Sequence, residues 1–518
     1  MAEYTKSIDP STFNKVDRQK LLSKEETFAC FKRAKLAFPE WRETPLATRI
    51  QILQRLSKYL VEINEALSLL ISTESGKPRV ECFYTEIIPA IEATNFYCKA
   101  VKSLFKPSTA SLGFWENLGR FSSYTQTPKG VVALFSHWSS PFSLPISLIL
   151  PALLSGCTVL YKPSERTPVI GNRICELFHT LGVPKDALIL ISGTEEVGRY
   201  LAGLPVDQIL FLGHPDSAHE VLKEASPLLT PVTAITGGND AMIVLEDADI
   251  DMATSGALWG AFHHMGQSFG SVKRCYVVKS IAEKFRNKCK GKIYRLQQGV
   301  PHQWGTDLGA MISEKHLKRL DQMIKKTIQE GAELVLGGNK FDIRGYGYFY
   351  KPTLLYNVPP ESALLHEIVY GPILNIVLVE NEEEAIRRTN DSDFALTASI
   401  WTGNLSRGRK IAQQLEYGTV MINEVAYAPN LASARLSALK SSGIGAIHGK
   451  EVFQEFTYTK HLHENRNREH KALWWFPYDQ RTYAFGQSLA GYLGIPSLRK
   501  KISYLWKMLP SLFHEEKR

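Results

Sequence analysis

Between residues 24 and 73 apolar side chains recur at threes and fours. Ile52, Leu56, Tyr59, Ile63, Leu67 and Leu70 share one face of a predicted helix. After Gly130 the pattern changes. VVALF reads as a strand, an apolar stretch runs to Leu154, and CTVLY reads as a second strand. A helix over 169–181, a strand at ALILIS, a helix over 195–204, a strand at DQILFLG and a helix over about 217–224 follow. Short apolar strands alternating with helices make βαβ units and a parallel sheet. Such sheets bind ligands at the carboxyl ends of their strands. A second α/β pattern comes next, with strands over 272–278, 375–379, 396–401 and 419–422. Helices are predicted over 281–292, 315–330 and 406–415. No internal repeat or low-complexity linker interrupts it. The body therefore reads as two α/β lobes with a short early segment and a tail.

Composition narrows the class. The 518 residues suit two or three domains, and 44% hydrophobic with 22% charged residues is ordinary for a globular chain. The seven cysteines, Cys30, Cys82, Cys98, Cys157, Cys175, Cys275 and Cys289, show neither CxxC pairing nor metal-ligand spacing. They read as buried or idle thiols, and no metal site is expected. The start, MAEYTKSIDP, lacks the apolar core of a signal peptide. The most apolar run, 141–154, falls short of the roughly 20 residues that a membrane span needs. A reducing, cytoplasmic location is expected. The net charge of +9 is uneven: residues 460–518 hold eleven Lys+Arg against five Asp+Glu, leaving +3 for the rest. A near-neutral body without any nucleic-acid module argues against nucleic-acid binding.

Several motifs carry a resemblance. ESGKP (74–78), YKPSERTP (161–168), ITGGNDAMIVLEDADID (235–251), GQSFGSVKRCYV (266–277), YGP (370–372) and LTASIWTGNLSRGRKIAQQLEYGTVMIN (396–423) follow one another in order. Together they resemble the aldehyde dehydrogenase superfamily, semialdehyde dehydrogenases included, from roughly residue 25 to 460. The resemblance implies an α/β fold with two parallel-sheet lobes and a small bridging element used in oligomers. On that pattern 1–262 is the Rossmann-like cofactor lobe, with a bridging segment near 108–128. Residues 263–440 are the catalytic lobe, and 441–518 a bridging segment with a basic tail. It also implies NAD- or NADP-dependent oxidation of an aldehyde to an acid, by a homo-oligomer, dimer or tetramer.

That oxidation needs a thiolate to attack the aldehyde carbon, hydride transfer to nicotinamide, and hydrolysis of the thioester. The residues that would do this are replaced. The family motif GQxC reads Gly266, Gln267, Ser268, Phe269, so a benzyl group stands at the nucleophile position. Cys275 falls in the predicted strand that follows. The family's ELGG, which holds the general base, reads Ile235, Thr236, Gly237, Gly238. The asparagine of PWNxP, an oxyanion donor, is Ser139 after His137 and Trp138. The glutamate that holds the nicotinamide ribose is Ile368, with Glu367 one residue too early. Register is fixed on both sides of Phe269 by Gly266 and Gln267 and by Lys273 and Arg274.

The cofactor side is better kept. Lys162 and Glu165 match residues that contact the adenosine ribose, and Ser164 leaves room for a 2′-phosphate beside Lys162. Trp138 and Gly213 match as well. The turn that opens a helix onto the pyrophosphate reads Phe211, Leu212, Gly213, His214, with Ala218 for the later glycine. Near the end Ser442, Gly443 and Gly445 match, but Ala446 replaces an arginine and Arg435 to Lys440 lack the glycine pair. NAD or NADP binding is expected to be weak or lost. The leading expectation is a catalytically inactive or impaired homologue kept as a binding or partner subunit. The alternatives are a working oxidoreductase using Ser268 or Cys275, and a membrane-surface interaction protein.

The last alternative rests on the tail. From Pro496, Leu498, Ile502, Leu505, Leu509 and Leu512 form one apolar stripe, with Arg499, Lys500, Lys501 and Lys507 mostly off it. Pro510 is expected to end or kink this helix, leaving at most about four turns. The stripe either packs on the body, where WWFPY (474–478) offers an aromatic surface, or lets 496–518 lie on an anionic membrane.

Overall fold

A computed structural model describes residues 4–426, 430–466, 472 and 474–512. The chain divides into two compact units, Met1–Lys106 with Gln126–Tyr458 and Pro107–Thr125 with Thr459–Arg518.

The first unit is built on two sheets. The first takes strands β1 (Val131–Phe135), β2 (Thr158–Lys162), β3 (Leu188–Leu190), β4 (Gln208–Leu212) and β5 (Val232–Ile235). Their spatial order is β5-β4-β1-β2-β3, all parallel, with Gly443–Ile444 added antiparallel beyond β5. The chain crosses to the second sheet through Thr236–Asn239. That sheet holds β6 (Asp240–Val244), β7 (Val272–Val278), β8 (Glu333–Leu336), β9 (Thr353–Tyr356), β10 (Ile373–Val379), β11 (Thr397–Trp401) and β12 (Thr419–Ile422). Its order is β8-β9-β10-β7-β6-β11-β12, and only the β8–β9 pair is antiparallel. Both are almost wholly apolar along their central strands, as sheets covered on both faces must be.

The early segment corrects one expectation. It is three helices, Lys24–Glu43, Leu46–Glu62 and Asn64–Ser75. The buried stripe is Ile50, Leu53, Leu56, Leu60, Leu67 and Ile71, while Ile52, Tyr59, Ile63 and Leu70 are half-buried at its flank. Ile63 leaves the helical region (φ −106°, ψ 7°), which resets the phase between the second and third helices.

The apolar stretch before Leu154 is the helix Ser143–Ser155, buried on every side. Its start is held by Glu86, with which Lys77 of the ESGKP segment pairs. The Glu86 carboxylate accepts from the backbone of Phe142 (3.1 Å) and Ser143 (2.8 Å), and pairs with the buried Lys77 ammonium. Lys77 also donates to Thr85 (3.0 Å) and to the carbonyl of Ser139 (3.4 Å). Glu74 accepts from the backbone of Val169 (2.9 Å) and Ile170 (2.8 Å), at the start of the helix Pro168–Thr180. Gly76 is required here, since a Cβ on it would meet the Ala310 carbonyl oxygen at 2.6 Å.

The turn ahead of Phe269 has three successive left-handed residues: His264 (φ 48°), Met265 (φ 55°) and Gly266 (φ 63°). Such backbone costs about 1–3 kcal/mol per non-glycine residue and persists only where its surroundings fix it. Here Glu81 accepts the His264 N–H (2.7 Å), Gln267 donates to the His264 carbonyl (3.1 Å), and Lys273 donates to the Gly266 carbonyl (2.8 Å). A Cβ on Gly266 would lie 2.0 Å from the Gly371 carbonyl oxygen, so only glycine fits.

Ser108–Thr109, Arg120–Pro128 and Thr457–Asn465 form a three-stranded sheet, and the second unit's helices are Gln480–Gly494 and Leu498–Leu512. No described helix is long and apolar enough to cross a membrane.

Burial raises the Glu81 carboxyl from 4.5 to about 8, against the opposing pull of Lys77 and the His264 N–H. The folded chain keeps this proton where the unfolded chain has lost it, so its stabilising contribution is present at low pH and lost as pH rises through about 8. Glu81→Gln keeps an acceptor for His264 and does not ionise. From pH 5 to 8 the wild type should therefore lose stability relative to the variant, by about 1.4 kcal/mol per pH unit. Above that window the difference should level off. Chemical unfolding across the range checks this, and a difference independent of pH refutes it.

Candidate functional site

A cavity of about 530 Å³ opens at the carboxyl ends of β1, β2 and β4. This is the switch point of the first sheet, where β1 is flanked by β2 on one side and β4 on the other. β1 runs out into Ser136, His137 and Trp138, β2 into Lys162 to Arg166, and β4 into Leu212 to His214. The far wall comes from Lys315, His316 and Arg319 on the helix Glu314–Gln329, and from Ile368, Val369 and Tyr370.

The β2 end has the right groups for a ribose. Lys162 is buried, half-buried Ser164 and exposed Glu165 follow it, and all three line the cavity. Burial pulls the Lys162 ammonium down to about 8, while Glu165 and Glu195 favour its charge. Gly198 gives it space, since a Cβ there would lie 3.3 Å from the Lys162 Cε.

The β4 end runs into a capped helix start. Gly213 donates to the Ile235 carbonyl (3.1 Å) and His214 caps the helix Pro215–Ala225. A helix start binds anions through free N–H groups. Here Pro215 has none, and the Asp216 N–H already points at the His214 Nδ1 (3.4 Å). The Asp216 carboxylate adds negative charge 3.3 Å from that ring. Burial holds the His214 imidazole below its ordinary value, so it does not compensate as a cation at neutral pH. The first turn thus has one N–H missing, a second already engaged, and a carboxylate beside them.

The inner end is an aromatic box. Ring centroids lie at 4.6 Å for His137–Trp138, 5.1 Å for Trp138–Tyr370, 5.3 Å for Trp138–His316 and 5.2 Å for His316–Tyr370. Burial drives His137 and His316 each down to about 3, with nearby cations acting the same way, so both are neutral. His137 Nδ1 accepts from the backbone N–H of Ser139 (3.3 Å) and, as the remaining acceptor, from its hydroxyl (2.9 Å). The Ser139 hydroxyl is thus committed to His137. Ile368 is buried and presents no oxygen, and Glu367 is paired with Arg319 at 2.7 Å.

Beyond the box lies Phe269. Its ring centroid is 5.1 Å from that of His137, and its Cδ1 would lie 3.0 Å from a Cβ on Gly237. Phe269 and Ile235 are both buried and belong to one apolar cluster with Phe142 and Leu396. The structure thus brings Phe269, Ser139 and the Ile235–Gly238 turn to one place. Cys275 is fully buried inside β7, and burial pushes its thiol far above the ordinary value. Ser268 is half-buried. Sequence reasoning missed the box of His137, His316 and Tyr370 and the blocking pair Pro215 and Asp216. The signal for the latter was present, as HPD directly after a strand is a cap with a proline at the first helical position. Nothing in the sequence links His316 to Trp138, which lie on different lobes.

The comparisons agree with this architecture. The sequence model of the aldehyde dehydrogenase family matches residues 2–462. A Mycobacterium tuberculosis protein provisionally named as a succinate-semialdehyde dehydrogenase with NADP(+) is 31% identical over 430 residues, covering 83% of this chain and 82% of its own. A Methylomonas protein named 4,4'-diapolycopene aldehyde oxidase is 31% identical over 447 residues, covering 86% and 82%. Among solved structures, betaine aldehyde dehydrogenase from Staphylococcus aureus in complex with NAD+ superposes with a TM-score of 0.87 at 27% identity, covering 92% of this chain and 94% of that one. With two parallel-sheet lobes, a cavity at the switch point of the first and this match over nearly its whole length, the chain belongs to the aldehyde dehydrogenase family.

Proposed function

We propose that this chain has lost the family's thiol-dependent oxidation of aldehydes and is kept as a binding or partner subunit, assembled as the dimer or tetramer that the resemblance implies. The observation that carries this is Phe269. It sits at the nucleophile position, buried in an apolar cluster that also holds Ile235 from the base position. A benzyl group has no lone pair to offer an aldehyde carbon, and the sec-butyl side chain of Ile235 takes no proton. Loss of a nucleophile alone has cost about six orders of magnitude in a hydrolase, and losing its partners adds little. The buried thiol of Cys275, held protonated inside β7, argues against a substitute.

On this reading the family's cofactor is bound weakly or not at all. Lys162, Ser164 and Glu165 would hold an adenosine ribose, with Lys162 favouring a 2′-phosphate. Pro215, Asp216 and Ile368 withdraw the contacts for the pyrophosphate and the nicotinamide ribose. The groups present therefore fit one end of NAD or NADP and not the rest, and no reaction step is assigned through it.

Three measurements test this. Steady-state formation of reduced cofactor over a panel of short and long aldehydes should stay at background. Turnover in the ordinary enzyme range of about 1–10³ s⁻¹ overturns the reading. Phe269→Cys should give at most one burst, because Ile235 leaves the thioester without a base; sustained turnover from that single change would show that the site has not decayed jointly. Titration calorimetry with NAD and NADP should give dissociation constants well above micromolar, and sub-micromolar binding would mean that the blocked helix start matters less than argued.

A further inference from the structure

The helix Leu498–Leu512 has a surface that the fold leaves uncovered. Its fifteen residues make about four turns. It continues past Pro510 to Leu512, within the expected limit of about four turns. In the last turn a proline forfeits only one backbone hydrogen bond. The helix packs on Gln480–Gly494 by a seam other than the predicted apolar stripe. Met508 is buried with Phe485 and Leu489, and Tyr504 lies against Gly491, where a Cβ would come within 2.4 Å of its ring. The apolar stripe points elsewhere. Leu498 is 73% exposed, Ile502 48%, Leu505 41% and Trp506 68%. Leu509 and Leu512 would continue the stripe, but their side chains lie outside the described residues.

The charges on this helix are of one sign. Arg499, Lys500, Lys501 and Lys507 are basic, and there is no Asp or Glu from 498 to 512. At about 100° per residue, Arg499 and Lys501 fall on opposite flanks of the stripe, and Trp506 lies at its edge beside Arg499. Lys501 and Lys507 each approach a ring, Tyr492 at 5.8 Å and Tyr504 at 5.2 Å. An exposed stripe of Leu and Ile, a Trp at its rim and cations on both flanks match an interfacial helix, with its apolar side in the acyl boundary and its cations at headgroup level. A second copy of the same basic face would meet like charge.

We infer that the helix Leu498–Leu512 docks this protein on the surface of an anionic lipid bilayer. The inference is independent of the activity proposed above. Exposed Trp475, Phe476 and Tyr478 in the same unit add aromatic surface of the kind that favours a headgroup region.

The test uses the full chain and vesicles of phosphatidylcholine alone or mixed with phosphatidylserine, at low and high salt. The protein should co-sediment with the anionic vesicles, release as salt rises, and partition weakly to the neutral ones. Arg499→Gln and Lys501→Gln should each weaken binding about fivefold. Leu498→Ser with Ile502→Ser should abolish it while the thermal midpoint is kept, because both side chains are exposed. Equal binding to neutral and anionic vesicles, binding unaffected by these variants, or none at low salt overturns the proposal. So does a shift in oligomeric state with Leu498→Ser and Ile502→Ser and no change in vesicle binding, since a second copy would then cover the stripe.

Discussion

The ammonium of Lys273 donates to the carbonyl oxygens of Gly266 and Gly371, both at 2.8 Å, and these two buried hydrogen bonds fix where position 269 stands. Lys273 lies on β7, in the middle of the seven-stranded sheet. Gly266 closes the left-handed turn, and Gly371 follows Ile368 to Tyr370 on the cavity wall. One side chain on a rigid strand thus ties the turn to that wall. Burial pulls this ammonium down to about 7, and Asp240 works in the opposite direction. A lysine amine in so dry a place needs well-placed acceptors, and the two carbonyls that supply them tie the turn to the wall.

That scaffold makes demands that differ from those of the reaction. The turn needs glycine at 266, an acceptor at Glu81 and a donor at Lys273, and all three are present. The reaction needs a thiolate and a carboxylate inside a partly desolvated cavity. Both are costly to hold there without partners. Phe269 and Ile235 remove that cost together. A carboxylate at 235 would face the Phe269 cluster as an unpaired buried charge, so each replacement makes the other easier to tolerate. Functional residues commonly trade stability for activity, and the apolar cluster of Phe269 and Ile235 carries no buried charge of that kind.

Much of the fold was legible because its strands are short, apolar and separated by periodic helices. β7 and β12 were readable to the residue. The helix over 24–73 was legible as helical but not in phase, because the break at Ile63 leaves no glycine or proline to mark it. β8 and β9 were not legible: Glu333 and Leu334 are exposed at an edge and carry no alternation. That positions 269, 235 and 139 lie close together follows the order of the motifs, and the fold brings them to one place. The aromatic box was not, since His316 and Trp138 meet only when the lobes close around the cavity. The tail shows the same limit: periodicity found the stripe of Leu498, Ile502 and Leu505, but the packing seam was chosen by Gly491, whose missing side chain lets Tyr504 approach.

The cavity divides into two chemical regions. Its mouth carries Lys162, Arg166, Arg199, Lys315 and Arg319 against Glu165, Glu195, Asp216 and Glu220, so opposite charges alternate there. Its inner end carries His137 and His316, both driven to about 3 by burial, and therefore has no ionised group at neutral pH. The flat faces of Trp138 and Tyr370 complete that end. A charged group entering past the mouth would lose water and find no counter-ion, whereas a neutral planar group would gain stacking contacts. The nicotinamide ring of an oxidised dinucleotide is cationic. The buried Ile368 offers it no carboxylate nearby, and the one beside it, Glu367, is engaged by Arg319. The inner end thus offers flat aromatic faces and no ionised group, a lining that suits an uncharged planar guest.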